Sequence, residues 1–254
     1  MGMNLKVLNN SAADIEVYNG DLDRDILLVK FVKTALYIIG GWSKPSKMPS
    51  PGYSIPASKC LTGAKLALIK GSVCFGCYAA DTVEWIKRSG KNPYLGRYKM
   101  DNVKQALEKR FKSLTDPLWV PAQVFLMRKR KLTYFRWHDA GDLQGVAHLR
   151  NLVLIAIACP DCKFWLPTRE YNIVRSYLKQ YGAFPANFRA RASAHMHNED
   201  APKEFPYRSA VDTGEYDYNT NPKAFKCGAY KRGGECGRCR KCWSKAPTIV
   251  YPFH

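Results

Sequence analysis

Between residues 132 and 193 the spacing of apolar positions switches repeatedly between two periods. Leu132-Thr-Tyr-Phe-Arg-Trp137 alternates as a strand does, residues 145–158 are apolar at helical spacing, 162–166 read as strand, 171–181 as helix and 187–193 as strand. That order predicts parallel strands joined by right-handed crossovers, hence an α/β barrel or a doubly wound sheet. Upstream, residues 100–114 form an amphipathic helix, with Val103, Ala106, Leu107 and Phe111 opposite Lys104, Lys109, Arg110 and Lys112. Further helices are expected over 117–131 and, ending at Gly90, over 78–89. The β-branched run 26–39 predicts a buried strand, with a helix left open. Residues 1–25 are polar and turn-rich, and 42–58 carry four prolines and read as an extended loop with a strand-like patch at 53–55. Residues 198–221 are acidic and aperiodic, as a surface excursion would be. The expected organisation is an extension (1–45) packed on an α/β core (46–200), followed by the excursion and a cysteine-rich end (201–254).

Length and composition fit a single globular domain of 254 residues, 46% hydrophobic and 13% aromatic. Charge adds a partner. Forty Lys and Arg against twenty-one Asp and Glu give +19, a field that attracts polyanions, so nucleic acid, DNA or RNA, is the expected partner, with a purely solubilising charge as the alternative. The block Arg128-Lys129-Arg130-Lys131 exceeds what capping a helix end requires and is a candidate phosphate contact. No basic amphipathic helix or lipidation signal stands out, and the run 26–39 is short and broken by Lys30 and Lys33, so no membrane association is expected. The N-terminus shows no signal-peptide core, which places the protein in the cytoplasm as an expectation.

Nine cysteines in such a chain point to metal or redox chemistry rather than disulfides. Cys227-x8-Cys236-x2-Cys239-x2-Cys242 offers four thiolates, enough for a tetrahedral zinc or an iron-sulfur cluster, and its equal steps favour the cluster. Arg238, Arg240 and Lys241 beside it would offset a cluster's negative charge or hold phosphates. Cys60-x13-Cys74-x2-Cys77 supplies three ligands: either an open cluster that leaves a coordination position for substrate, or a structural site completed by another residue. Cys159 and Cys162 read as buried, inert thiols. Parallel sheets gather ligands at the carboxyl ends of their strands. The loops expected there hold His138, Asp139 and Asp142, then Arg169 and Glu170, then His195 and His197. His138, Asp139 and Asp142 are candidates for acid-base work or, for one aspartate, nucleophilic attack, and Arg169 for pairing with phosphate or carboxylate. The competing reading has Asp142 capping the next helix and the histidines at the surface.

These residues resemble a known family. The thiols leading into Cys77-Tyr-Ala, the strand and loop Phe135-Arg-Trp-His-Asp-Ala-Gly-Asp142, Lys163-Phe-Trp-Leu-Pro-Thr-Arg169 and the terminal cysteine run ending in Cys242-Trp are similar to the phage gene product 88 family, over roughly residues 50–200 and 225–245. More loosely they are similar to phage three-Cys-motif proteins with a radical-SAM-like barrel. The resemblance implies a phage-encoded protein of the host cytoplasm. It also implies one or two 4Fe-4S clusters, with zinc as the alternative at the terminal quartet, and a single-domain, partial TIM-like barrel carrying a C-terminal metal-binding extension. The thirteen-residue gap after Cys60 departs from ordinary radical-SAM spacing, so S-adenosylmethionine stays open as a ligand. Three functions compete: an iron-sulfur enzyme modifying bases or nucleotides, a non-catalytic nucleic-acid binder with structural metals, and a zinc-containing transglycosylase using Asp139 or Asp142.

Overall fold

Among the described residues seven strands, each parallel to its neighbours, form one sheet in the order β1-β2-β3-β4-β5-β7-β6. The computed structural model describes residues 14–45, 48–82, 98 and 100–253. The strands are β1 (Gly52–Tyr53), β2 (Tyr134–Trp137), β3 (Lys163–Thr168), β4 (Phe188–Ser193), β5 (Arg208–Asp212), β6 (Ala224–Lys226) and β7 (Thr248–Pro252). The described helices are α1 (Leu22–Val29), α2 (Val32–Ile38), α3 (Leu61–Leu66), α4 (Asp101–Ser113), α5 (Trp119–Lys129), α6 (Val146–Ala158) and α7 (Tyr171–Tyr181). None is long and apolar enough to cross a membrane.

The alternation from β2 to β4 follows the pattern of the sequence, because its strands bury both faces and α6 and α7 return the chain across one of them. Phe135, Trp137, Phe164, Leu166 and Phe188 point to that helical side and pack in the main core. The intervening residues point the other way, where Arg136, Trp165 and Arg189 stand level on three adjacent strands. The C-terminal segment covers this cationic face. Its Trp243 lies edge-on to Tyr134 and Trp165, with ring centroids 5.4 and 5.3 Å away, and donates from Nε1 to the Phe135 carbonyl at 2.8 Å.

Two expectations change. Residues 26–39 are not strand: they form the second half of α1 and all of α2, which pack on α5. Asp21 caps the first helix by accepting from the Arg24 amide at 3.2 Å, and Lys30, at φ 53°, breaks the run in two. Val29 and Ala35 are buried whereas Leu27, Leu28, Phe31 and Tyr37 face outward, a one-sided burial that a fully buried strand would not show. The stretch 198–221 is more than an excursion, since it contains β5, and residues 201–254 supply β5, β6 and β7, three of the sheet's seven strands. The helix expected over 78–89 falls largely on residues 83–89, outside the described residues; 78–82 are turn and coil.

Candidate functional site

At the carboxyl ends of β1, β2 and β3 the chain gathers the three thiols of Cys60, Cys74 and Cys77 around Arg169. Cys60 is extended, at φ −64° and ψ 126°, and directly precedes α3. A Cβ on Gly63, in that helix, would stand 2.9 Å from the Cys60 Cβ and 3.5 and 3.6 Å from the Sγ atoms of Cys60 and Cys74. The absent side chain is the space those two thiols share. Cys74 lies in a turn tied to the strap after β4: the Val73 amide donates to the His195 carbonyl at 2.9 Å and the His197 amide to the Gly71 carbonyl at 3.1 Å. Arg169 has Cys74, Asp142, Cys77 and Cys60 as its charge-bearing neighbours.

Asp142 fixes that arginine's position. Its Oδ1 accepts from the Thr168 hydroxyl at 2.6 Å and the Leu143 amide at 2.8 Å, and its Oδ2 from the Arg169 amide at 2.8 Å. Both oxygens are engaged, so this carboxylate is built to position the loop. Glu170 makes the matching tie, accepting from the Thr62 amide and hydroxyl at 2.7 Å each, which holds α3 against the end of β3. Burial pushes both carboxyls up, Asp142 further through Glu170. Burial also raises all three thiols, Cys60 well above its ordinary value and Cys77 to about 12, while Arg169 pulls Cys74 and Cys77 back down.

The second thiol set lies on the cationic face. Cys236 neighbours Cys227 and Cys239, and Cys242 neighbours Cys227 and Cys236. Burial raises Cys242 to about 12, and its Sγ is 3.3 Å from the Tyr251 hydroxyl. Arg191, wholly buried, spends its guanidinium on the carbonyls of Cys242, Ala246, Lys241, Ser244 and Arg208 at 2.7–3.4 Å. Among the described residues no Asp or Glu pairs with it. A buried cation without an acid is costly, and the ring of carbonyl oxygens is what compensates it here. Arg136 stands between the sets, with Tyr78 and Asp139 among its neighbours as well as Tyr251 and Cys242. Among the described residues no three His, Cys, Asp or Glu side chains close around one point as a formed metal site would. The thiols are gathered, and their donor chemistry and cationic surroundings suit an anionic metal-thiolate group.

The other expected residues are dispersed. His138, at φ 58°, is turned into the helical-side core among Tyr53, Trp137 and His148, with neither ring nitrogen partnered. Asp139 accepts from the Ser43 hydroxyl at 2.6 Å. His195 stacks flat on Tyr171, and His197 meets Phe253 edge-on. Cys159 and Cys162 are buried in the main core. The block 128–131 ends the helix that feeds the amino end of β2, opposite the thiols; Arg128 donates to the Ala158 carbonyl and Arg130 lies over Trp42, while Lys129 and Lys131 are exposed. Arg240 donates to the carbonyls of Gly237 and Cys239, and Arg238 and Lys241 face outward. Sequence reasoning passed over Glu170 as a tie and Arg136 and Arg191 as interior cations. Only Arg191 left a signal, in Phe-Arg-Ala-Arg-Ala-Ser of β4, where arginine alternates with apolar residues in a strand that must be buried.

His138 gives a pH prediction. Burial lowers it from 6.5 to about 3, and lowers His148 likewise. Between those limits unfolding takes up protons that the folded imidazoles refuse, so their contribution is intact above pH 6.5 and shrinks toward pH 3. Asp142 and Glu170, with raised carboxyls, act in the opposite sense, so the histidine term is read as a difference. His138→Asn, whose residue tolerates positive φ, should flatten the acid loss of stability by about 1.4 kcal/mol per pH unit in urea titrations from pH 6.5 to 4. A variant with the wild-type slope would show that His138 titrates normally.

A family model described as Gene product 88 matches residues 33–245, a span that includes both thiol sets and Arg136, Arg169 and Arg191. Comparison with curated proteins and with solved structures gives no match.

Proposed function

As the chain belongs to the phage gene product 88 family, and as that family's span takes in both thiol sets, we propose that it is an iron-sulfur protein with a partial TIM-like barrel that modifies a base or nucleotide of nucleic acid. The observation that carries this reading is the convergence of Cys60, Cys74 and Cys77 on Arg169 at the carboxyl edge of the parallel sheet, where such folds place their chemistry. Three thiolates would hold a cluster with one iron open, and the terminal quartet a second cluster or zinc in a C-terminal metal-binding extension. The bound cluster would supply one-electron chemistry. Arg169 would hold an anionic part of the substrate next to it, Asp142 would keep the arginine's backbone in place, and Glu170 would keep the helix after Cys60 from drifting. The net charge of +19 and the outward Arg238 and Lys241 suit a polyanionic substrate in the host cytoplasm.

Anaerobic incubation of the full chain with a reductant and with single- or double-stranded DNA or RNA, followed by mass analysis of the released nucleosides, tests this. A new nucleoside that disappears in Cys74→Ser is expected. Unchanged nucleosides, with binding that weakens steeply in salt, would leave a non-catalytic binder instead. Exchange of added deazaguanine into the polymer, lost in Asp139→Ala, would point to base transfer.

A further inference from the structure

Beside the three thiols lies a cleft of about 240 Å³, lined by Arg169, Arg175, His195, Tyr171 and Asn172 and floored by Glu170. We propose that it binds the phosphate of a sugar phosphate unit, and so seats the substrate's backbone next to Cys74. The inference deepens the function proposed above and rests on it for the place of the chemistry, but the binding itself requires no metal.

Four features of the cleft suit an oxyanion. Arg169 is anchored through Nε to the Ala194 carbonyl at 3.3 Å, and among the described residues neither of its terminal nitrogens takes an acceptor. Arg175 reaches the same space from one turn into α7, held by the Asn172 side-chain oxygen at 3.0 Å. The amino end of that eleven-residue helix opens on the cleft and adds its dipole. The far wall is rigid: His195 and Tyr171 stack with centroids 4.4 Å apart and planes 6° apart, and the Tyr171 hydroxyl donates to the Ser193 carbonyl at 2.5 Å. The acid that lines the cleft, Glu170, has both oxygens engaged by Thr62. The volume is below that of a drug-sized pocket, which suits a phosphate with its sugar and leaves the base outside. One carboxylate competes. Glu204 accepts from the Arg175 Nη2 at 2.5 Å, so it occupies the donor that an incoming phosphate would use.

That competitor supplies the test. Calorimetric titration of the anaerobically purified full chain at low ionic strength should give saturable binding of ribose 5-phosphate and of inorganic phosphate, with acetate much weaker. Arg175→Gln should weaken binding tenfold or more, whereas Glu204→Gln should tighten it several-fold by freeing the arginine. Both side chains are about half exposed, so either variant is expected to fold, which circular dichroism checks. No saturable binding, binding of acetate as strong as that of phosphate, or weakening in both variants would overturn the inference. Phosphate binding without any altered nucleoside would leave this site standing while removing the enzymatic reading, and a modified nucleoside without phosphate binding would do the reverse.

Discussion

Arg191→Met is expected to release the C-terminal cysteine segment from the sheet and to lower stability by about 3–5 kcal/mol, the sum expected when several buried carbonyls lose their donor together. The guanidinium holds carbonyls at 241, 242, 244 and 246 together with that of Arg208, so one side chain closes both ends of the loop on which Cys242 sits. Methionine fills the space but donates nothing, and each carbonyl it leaves dry costs about 1–3 kcal/mol unless the loop moves out to water. Movement is the expected relief, and it would carry Trp243 off Tyr134 and Trp165. Arg191→Lys keeps the charge without the planar fork and should fall between the two. Urea unfolding and limited proteolysis near residue 245 read both effects. A midpoint unchanged in Arg191→Met would mean that the segment is held by Trp243 alone.

Gly141→Ala should be nearly as damaging, at about 2–4 kcal/mol for combined overpacking and backbone strain. A Cβ there would lie 2.2 Å from the Ile55 Cγ1 and 2.8 Å from its carbonyl oxygen, and the residue sits at φ +79°. The side-chain contact could be eased by a rotamer change, but the carbonyl could not, because the Ile55 amide is bonded to the Ala140 carbonyl at 3.0 Å. The loop must shift, and Asp142 with its three hydrogen bonds shifts with it. Gly145→Ala is the control, with nothing within 4 Å of the added carbon. Thermal unfolding should separate the two variants clearly; equal melting temperatures would show that the loop yields without cost.

The middle of the chain was legible because β2, β3 and β4 are central strands whose helices cross one apolar face, and such strands must show their burial in sequence. Residues 26–39 misled because β-branched side chains mark burial, and the break at Lys30 that makes two short helices is a single backbone angle. The strands β5, β6 and β7 are three to five residues long, and β7 inserts between β5 and β6, which a local window does not register. At the site, cysteine spacing and strand-end position pointed to the thiols, Asp142 and Arg169. His138 belonged to the same loop, yet its positive φ turns the ring into the core. Arg136, Arg191 and Glu170 were hard to read because charged residues are expected outside: the folded C-terminal segment gives the two arginines a place within, and Thr62 does so for Glu170.

The measurement closest to the central proposal is the iron, sulfide and zinc content of anaerobically purified protein, taken with its electronic spectrum. The wild type should be brown, with broad absorption near ~400 nm, the region of thiolate-ligated iron-sulfur centres. Cys74→Ser should lose one part of that signal and keep the part that depends on Cys239. A colourless protein holding zinc and no sulfide would contradict the proposal.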